Sequence, residues 1–334
     1  MVRSIAIPLL VSAASAALLA GCGPEMAAHL RPLPPEAKAL LAEKGMTERS
    51  PIFVRIFKEE SELEVWKIKD DGRYHHFKTY PICNWSGKLG PKIKVGDKQA
   101  PEGFYRVSER LMNPNSSYHL SFNLGFPNKF DKAHGRTGKY LMVHGDCKSA
   151  GCYAMTDALI EEIYALAREA FRGGQKEFGV HAYPFRMTPE NMKRHAKSKN
   201  YNFWRNMQVG YKHFEYTRMP PKVDVCEKRY LLNVAFLDDQ SKVEPAAACP
   251  IYEQLPLEQA PLPPMIQEAK KKKLPKPMAF APLEPIASTA KASDFSSATA
   301  ASKATIGGGR TFGFAPATPS YSGFAFRLNN TLGK

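Results

Sequence analysis

Acidic side chains are scarce in this 334-residue chain: 32 Asp and Glu stand against 47 Lys and Arg, a formal charge of +15. Cysteine is limited to six residues and tryptophan to three. No Cys-x-x-Cys pair occurs, and no set of His and Cys has zinc-ligand spacing, which argues against a structural zinc module. No nucleotide or flavin signature is present, and neither a cofactor nor a metal is expected. Internal repeats are also missing. No apolar run comfortably reaches the roughly 20 residues that a transmembrane helix needs.

What the chain does have begins at its N-terminus. Arg3 precedes an uncharged Ala- and Leu-rich run from Ile5 to Ala20, so residues 1–21 read as an export signal. The run ends Leu19-Ala20-Gly21-Cys22, which resembles a bacterial lipobox, with Cys22 as the lipidated mature N-terminus. Gly23 follows, rather than the Asp that often holds lipoproteins at the inner membrane. The expectation is a periplasmic protein anchored by lipid on Cys22, with the outer membrane of a Gram-negative bacterium as the default site. Nucleic acid is then not an expected partner, and cell-wall carboxylates or lipid head groups are the anions at hand.

An oxidising compartment permits disulfides among Cys83, Cys147, Cys152, Cys226 and Cys249. A Cys226–Cys249 bridge fits the sequence. A Cys147–Cys152 bridge fits too, and would disable Cys152. Cys83 reads as a buried strand residue or a support near the site.

Composition divides the chain further. Residues 22–50 read as a linker with a short helix near Glu36 to Lys44, preceded by Pro34 and Pro35 and stopped by Gly45. A folded domain is expected over 51–215 and a C-terminal extension over 216–254. From residue 255 the chain is rich in Pro, Ala, Ser and Lys, including the cluster Lys270 to Lys273. It buries too little to offset a backbone entropy of about 1–2 kcal/mol per residue, so 255–334 is expected to be a disordered tail.

Within the domain, strands come first: Phe53 to Phe57, Leu63 to Trp66, Phe77 to Cys83 and Gly103 to Val107. Ile160, Ile163, Leu166, Ala167, Ala170 and Phe171 recur at helical spacing. This predicts an amphipathic helix over Thr156 to Arg172, capped by Thr156 or Asp157 and stopped by Gly173-Gly174. Phe178 to Phe185 returns to strand, and Thr188-Pro189-Glu190 opens another helix. The fold class is mainly β with packed helices, α+β.

The most informative stretch is Tyr140-Leu-Met-Val-His144-Gly-Asp-Cys-Lys-Ser149-Ala-Gly151-Cys152. An apolar strand delivers a histidine, and a thiol follows eight positions later. A cysteine with a pKa of about 8.5 is mostly protonated at neutral pH and needs a base or a positive field to act as a nucleophile. One tight loop brings imidazole and sulfur together.

His144-Gly145 followed by Ser149-Ala150-Gly151-Cys152 resembles the active-site motif of the L,D-transpeptidase catalytic domain, the YkuD family. That motif runs His-Gly, a loop, then Ser-His-Gly-Cys, an apolar residue and Arg or Asn. Ala100-Pro101-Glu102-Gly103-Phe104-Tyr105 is similar to the family's Thr-Pro-x-Gly-x-Phe/Tyr segment. Stretches 77–83, 110–117 and 180–187 look like the YafK-type branch. Here Ala150 replaces the motif histidine, Ala154 replaces Arg or Asn, and the His-to-Cys loop is short.

The resemblance implies a β-sandwich catalytic domain that acts on peptidoglycan stem peptides through a thioacyl enzyme. Cys152 would be the nucleophile, His144 the base, and the backbone near Gly151 the oxyanion site, with Ser149 bonding His144 or its own loop. Amine attack on the thioacyl group gives transfer; water gives hydrolysis, and some relatives of this branch are amidases that free a wall-linked lipoprotein. His134 is the alternative base. Arg136 and Arg186 are candidates for receiving a stem-peptide carboxylate, or for structural ion pairs. Tyr118, His119 and Asn113 are candidates for lining the groove, and His181 for the core or the site. Two rival readings remain: a wall-binding lipoprotein that lost its chemistry, suggested by Ala150 and Ala154, and a papain-like peptidase using His181 or His195.

Overall fold

The computed structural model describes residues 26–237 and 243–256. The expected signal segment, Cys22, the lysine cluster and all but the first two residues of the expected tail lie outside these ranges.

In chain order, α1 (Pro35–Glu43) precedes strands β1 (Ile52–Phe57), β2 (Glu62–Ile68), β3 (Tyr74–Pro81), β4 (Asn84–Trp85), β5 (Gly103–Ser108), β6 (Met112–Ser116) and β7 (His119–Asn123). Then come α2 (Lys129–Ala133), β8 (Met142–His144), β9 (Tyr153–Ala154), α3 (Asp157–Arg172) and β10 (Glu177–Tyr183). Helices α4 (Pro189–Arg194) and α5 (Tyr201–Thr217) follow, then strands β11 (Val223–Cys226), β12 (Arg229–Leu232), β13 (Val234–Phe236) and β14 (Tyr252–Gln254).

Two five-stranded sheets carry the fold, ordered β3-β2-β1-β10-β5 and β4-β9-β8-β7-β6. The α+β class is as expected. The β1–β10 and β8–β9 pairs are parallel, and the rest of both sheets is antiparallel. Side chains alternate faces along a strand. Val54 and Ile56 enter a core shared with Val180, with Phe122, Val143 and Tyr153 of the second sheet, and with Ile163 and Leu166 of α3. Phe57 and Tyr183 point the other way and pack with Trp204, Met207 and Tyr211 of α5. With both faces covered, β1 is buried throughout and its sequence Ile-Phe-Val-Arg-Ile-Phe is nearly all apolar. The exception, Arg55, is matched by Glu64 at 2.8 Å and Glu215 at 2.5 Å.

The helix after the cysteine motif starts where its cap dictates. The Thr156 hydroxyl accepts from the Leu159 N–H at 3.4 Å, and Gly173 closes α3. Thr188 caps α4 in the same way, with Pro189 in the first turn.

Residues 33–46 differ from the expected spacer. Leu33, Ala37 and Leu41, each 2% exposed, join the shared core with Met46. Pro35 opens α1, and its two apolar positions one turn apart face inward. A buried leucine contributes about 1.5–3 kcal/mol, enough to hold so short a helix in place. Folded structure thus begins ahead of Pro51. Downstream, α5 continues through residue 217, and Tyr230 of β12 stacks on Phe130 and meets the Phe104 ring at 4.7 Å.

Candidate active site

Strands β8 and β9 mount the two chemical groups. Val143 pairs with Tyr153 and His144 with Ala154. Cys152 lies in the bend just before β9, and its sulfur is drawn to the strand that ends in His144. The Met142 N–H reaches the Cys152 sulfur at 3.4 Å, and the thiol lies 3.6 Å from the Tyr140 carbonyl as donor. Cys152 is the free cysteine among the described residues and is partly exposed.

His144 is 3% exposed and sits 4.8 Å from the Tyr118 ring, centroid to centroid. Its Nδ1 lies 2.6 Å from the Gly145 carbonyl oxygen. A carbonyl only accepts, so Nδ1 carries the proton and Nε2 of the neutral ring is left with its lone pair. Among the described residues Nε2 makes no hydrogen bond. Burial pushes the His144 pKa below its ordinary value, against the opposing Gly145 carbonyl and Asp146. Burial likewise pushes the Cys152 thiol up, against the Met142 N–H and the charge on Lys92. Burial thus favours the neutral form of each group, and no hydrogen bond joins the two.

The loop between them is tied at several points. Gly151 has φ +123°, a conformation that favours glycine. The Ser149 hydroxyl donates to the Cys152 carbonyl at 2.8 Å and accepts from the Gly151 N–H at 3.4 Å, so it braces its own loop rather than His144. The Cys152 N–H has no partner among the described residues and is free to face an oxyanion. Asp157, in the first turn of α3, accepts from the Asp146 N–H at 2.9 Å.

The cysteines decide between the readings left open, and add a pairing the sequence did not name. Cys147 is bonded to Cys83, across 64 residues, and not to Cys152. Cys83 is exposed rather than buried, and its role is to fasten the loop to the end of β3. The Cys226–Cys249 bridge is present as the sequence allowed.

Several candidates are engaged elsewhere. Arg136 is buried against Asp131 at 2.8 Å with the Phe130 and Phe203 rings on its guanidinium, so it is a structural ion pair rather than a substrate group. Arg186 holds Glu62 and Glu64 and lies over Phe57. His134 donates to the Lys228 carbonyl at 2.7 Å and packs on the Phe130 ring, and none of its contacts is with Cys152. His181 is buried between Phe53 and Phe104, and His195 stacks on Phe185 and meets Glu59 at 3.0 Å. Neither is brought to Cys152. His119 bonds Glu161 at 2.6 Å. Asn113 pairs with Ser121, which pairs with His144, so it shares the row across the sheet, but its side chain caps the Asn115 N–H.

A cavity of about 330 Å³ opens beside the sulfur, lined by Cys152, Ala150, Lys92, Val95, Lys139 and Tyr140 among others. Sequence reading missed the 92–97 segment, which carries no motif. Lys139 and Tyr140 adjoin the histidine strand and were within reach of it. Tyr140 lies outside β8 with φ +60° and is 63% exposed, so the strand starts later than its apolar run suggests. Among the described residues no three His, Cys, Asp or Glu side chains gather as a metal site.

A histidine at the end of β8 and a free cysteine in the bend before β9, the cysteine lining an open cavity, form the class of site suited to thiol acyl chemistry. The family model for the L,D-transpeptidase catalytic domain, YkuD, matches residues 54–197, and the chain belongs to this family. It is 48% identical over 184 residues to YafK of Escherichia coli, provisionally named an L,D-transpeptidase, covering 55% of this chain and 74% of that protein. Among solved structures, it is similar to the helical cell shape determining protein Pgp2 of Campylobacter jejuni, at 18% identity and a TM-score of 0.32 over 56% of this chain and 79% of that one. Bd1075 of Bdellovibrio bacteriovorus is 22% identical with a TM-score of 0.29, over 51% and 63%.

Proposed function

We propose that the chain is a thiol enzyme that works on peptide stems of peptidoglycan, and that Cys152 and His144 carry the reaction. The observation behind this reading is the His144 tautomer: the Gly145 carbonyl holds the proton on Nδ1 and leaves Nε2 as a base, on the strand whose Met142 N–H reaches the free thiol. Substrate docking draws the two together; hydrogen bonds between catalytic groups commonly tighten only in the complex.

His144 Nε2 takes the thiol proton as sulfur attacks an amide carbonyl carbon. A C–S bond forms and the oxyanion meets the Cys152 N–H. The C–N bond then breaks, and the imidazolium returns its proton to the leaving amine. The thioester left on Cys152 passes its acyl group to an incoming amine or to water, and the thiol is restored with one proton returned through His144.

A hydrolytic outcome is favoured by Ala154. It is the register partner of His144 and is fully buried, so the position where the family motif carries Arg or Asn offers no polar group. We infer a peptidoglycan amidase as the second reading, with a wall-linked lipoprotein as its substrate. The two disulfides suit an exported protein, in line with an export signal and lipid attachment at Cys22.

The test is mass spectrometry of purified sacculi incubated with the full chain or with Cys152→Ala, with and without added amine. Cross-linked products that need amine indicate transfer; released stems without amine indicate hydrolysis. Identical digests from both proteins would end the proposal.

A further inference from the structure

A second cavity, of about 1150 Å³, has more than three times the volume of the one beside Cys152, and neither His144 nor Cys152 touches it. It runs along β5, the last strand of the first sheet, and faces the segment 219–223. Small-molecule pockets are typically about 300–1,000 Å³, so this groove suits a length of chain better than a small ligand.

The outer edge of β5 keeps one unpaired backbone position, at Arg106, beside Gly125. β5 pairs with β10 on one side only, with Phe104 opposite His181 and Arg106 opposite Gly179. The outward N–H and C=O of Phe104 are taken by the Tyr230 hydroxyl at 3.4 Å and the Asn128 amide at 2.9 Å. Two residues on, Arg106 presents its backbone groups to the same side. Among the described residues they have no partner. Such an edge is a template for an added strand.

The charge of the groove is one-sided. Lys129 and Lys132, three apart on α2, and Lys176, just ahead of β10, line it; all three are exposed and make no ion pair among the described residues. Its one acidic residue, Glu177, is already paired with Arg106. Apolar contact comes from Met219, Pro220 and Pro221.

We propose that this groove docks an acidic, extended segment of a partner protein, which adds as a strand to the outer edge of β5 and sets its carboxylates against Lys129, Lys132 and Lys176. Alternate side chains of the segment would face the lysines, and the others the proline wall.

The probe is a fluorescein-labelled eight-residue peptide of alternating Glu and Val, titrated into the full chain and followed by anisotropy. Binding is expected to weaken with added salt. It should fall at least roughly tenfold in Lys129→Glu/Lys132→Glu/Lys176→Glu, three exposed sites whose change leaves Cys152 labelling and the melting curve unaltered. A probe N-methylated at alternate residues should bind at least roughly tenfold more weakly, because it cannot complete the ladder. No binding by the native chain, equal binding by the triple variant, or full binding of the methylated probe each overturns the proposal. Displacement of the probe by soluble peptidoglycan fragments overturns the choice of a protein partner.

Discussion

Cys83 and Cys147 are joined across 64 residues, and the bond lands inside the loop that separates His144 from Cys152. It anchors this loop to the end of β3 while leaving the Cys152 thiol free. Closing a loop of this size is worth about 4 kcal/mol in the chain-entropy picture. Cys83→Ser/Cys147→Ser is therefore expected to lower the unfolding free energy by about 3–4 kcal/mol, read as a fall in the urea midpoint. Turnover should drop while Cys152 alkylation persists. An unchanged midpoint would show that the bond restrains nothing.

Cys152→Ala removes the thiol that the proposed thioacyl chemistry needs. Activity is expected to vanish, with stability changed by about 1 kcal/mol or less because the side chain is partly exposed. Circular dichroism and denaturation together with sacculus digestion check both halves.

His144→Gln keeps a polar side chain but loses the base. A fall of about 10²–10⁴-fold in kcat/KM is expected, the usual weight of general base catalysis. In the native protein, burial lowers the His144 pKa, so the acid limb of kcat/KM is expected below pH 6.5. Cys152 is raised, so its alkylation rate should keep climbing past pH 9. An alkylation plateau near neutrality would instead reveal a preformed thiolate–imidazolium pair.

Lys58 is fully buried, and its ammonium bonds Glu102 at 3.0 Å and the carbonyls of Lys88, Gly90 and Ala100. The loop that reaches the Cys152 cavity is gathered around this one charge. Lys58→Met strands Glu102 in the interior, and a loss of about 3–5 kcal/mol is expected. Urea denaturation measures it.

His181 is held neutral by burial, with its pKa well below the ordinary value, and nearby Arg55 and Arg106 act in the same direction. The unfolded chain takes up a proton near pH 6.5 that the native chain refuses. Stability is therefore full above that value and is lost as pH falls below it, by at most about 1.4 kcal/mol per pH unit for one such group. Replacing it in His181→Phe should flatten the fall in urea midpoint between pH 7 and pH 5.

The legible parts of the chain were those set by local chemistry. Thr156 announced the start of α3 and Gly173 its end, and β1 and β10 showed in their apolar runs. The His144–Cys152 segment was readable because both groups lie within one loop. What sequence did not reveal were partners remote along the chain. Nothing near Arg136 or Arg186 says that Asp131, Glu62 and Glu64 will neutralise them. Nothing near Cys83 names Cys147. Leu33, Ala37 and Leu41 fall in the stretch read as a linker, yet they join a core completed by residues far downstream.

The parallel pairing of β8 with β9 has a last consequence. His144 and Ala154 lie side by side in the ladder, so the segment between them must return the chain to the same level, and that return is made in the bend that the Cys83–Cys147 bond closes. A residue added between 152 and 154 would shift this register and carry the sulfur away from the Met142 N–H.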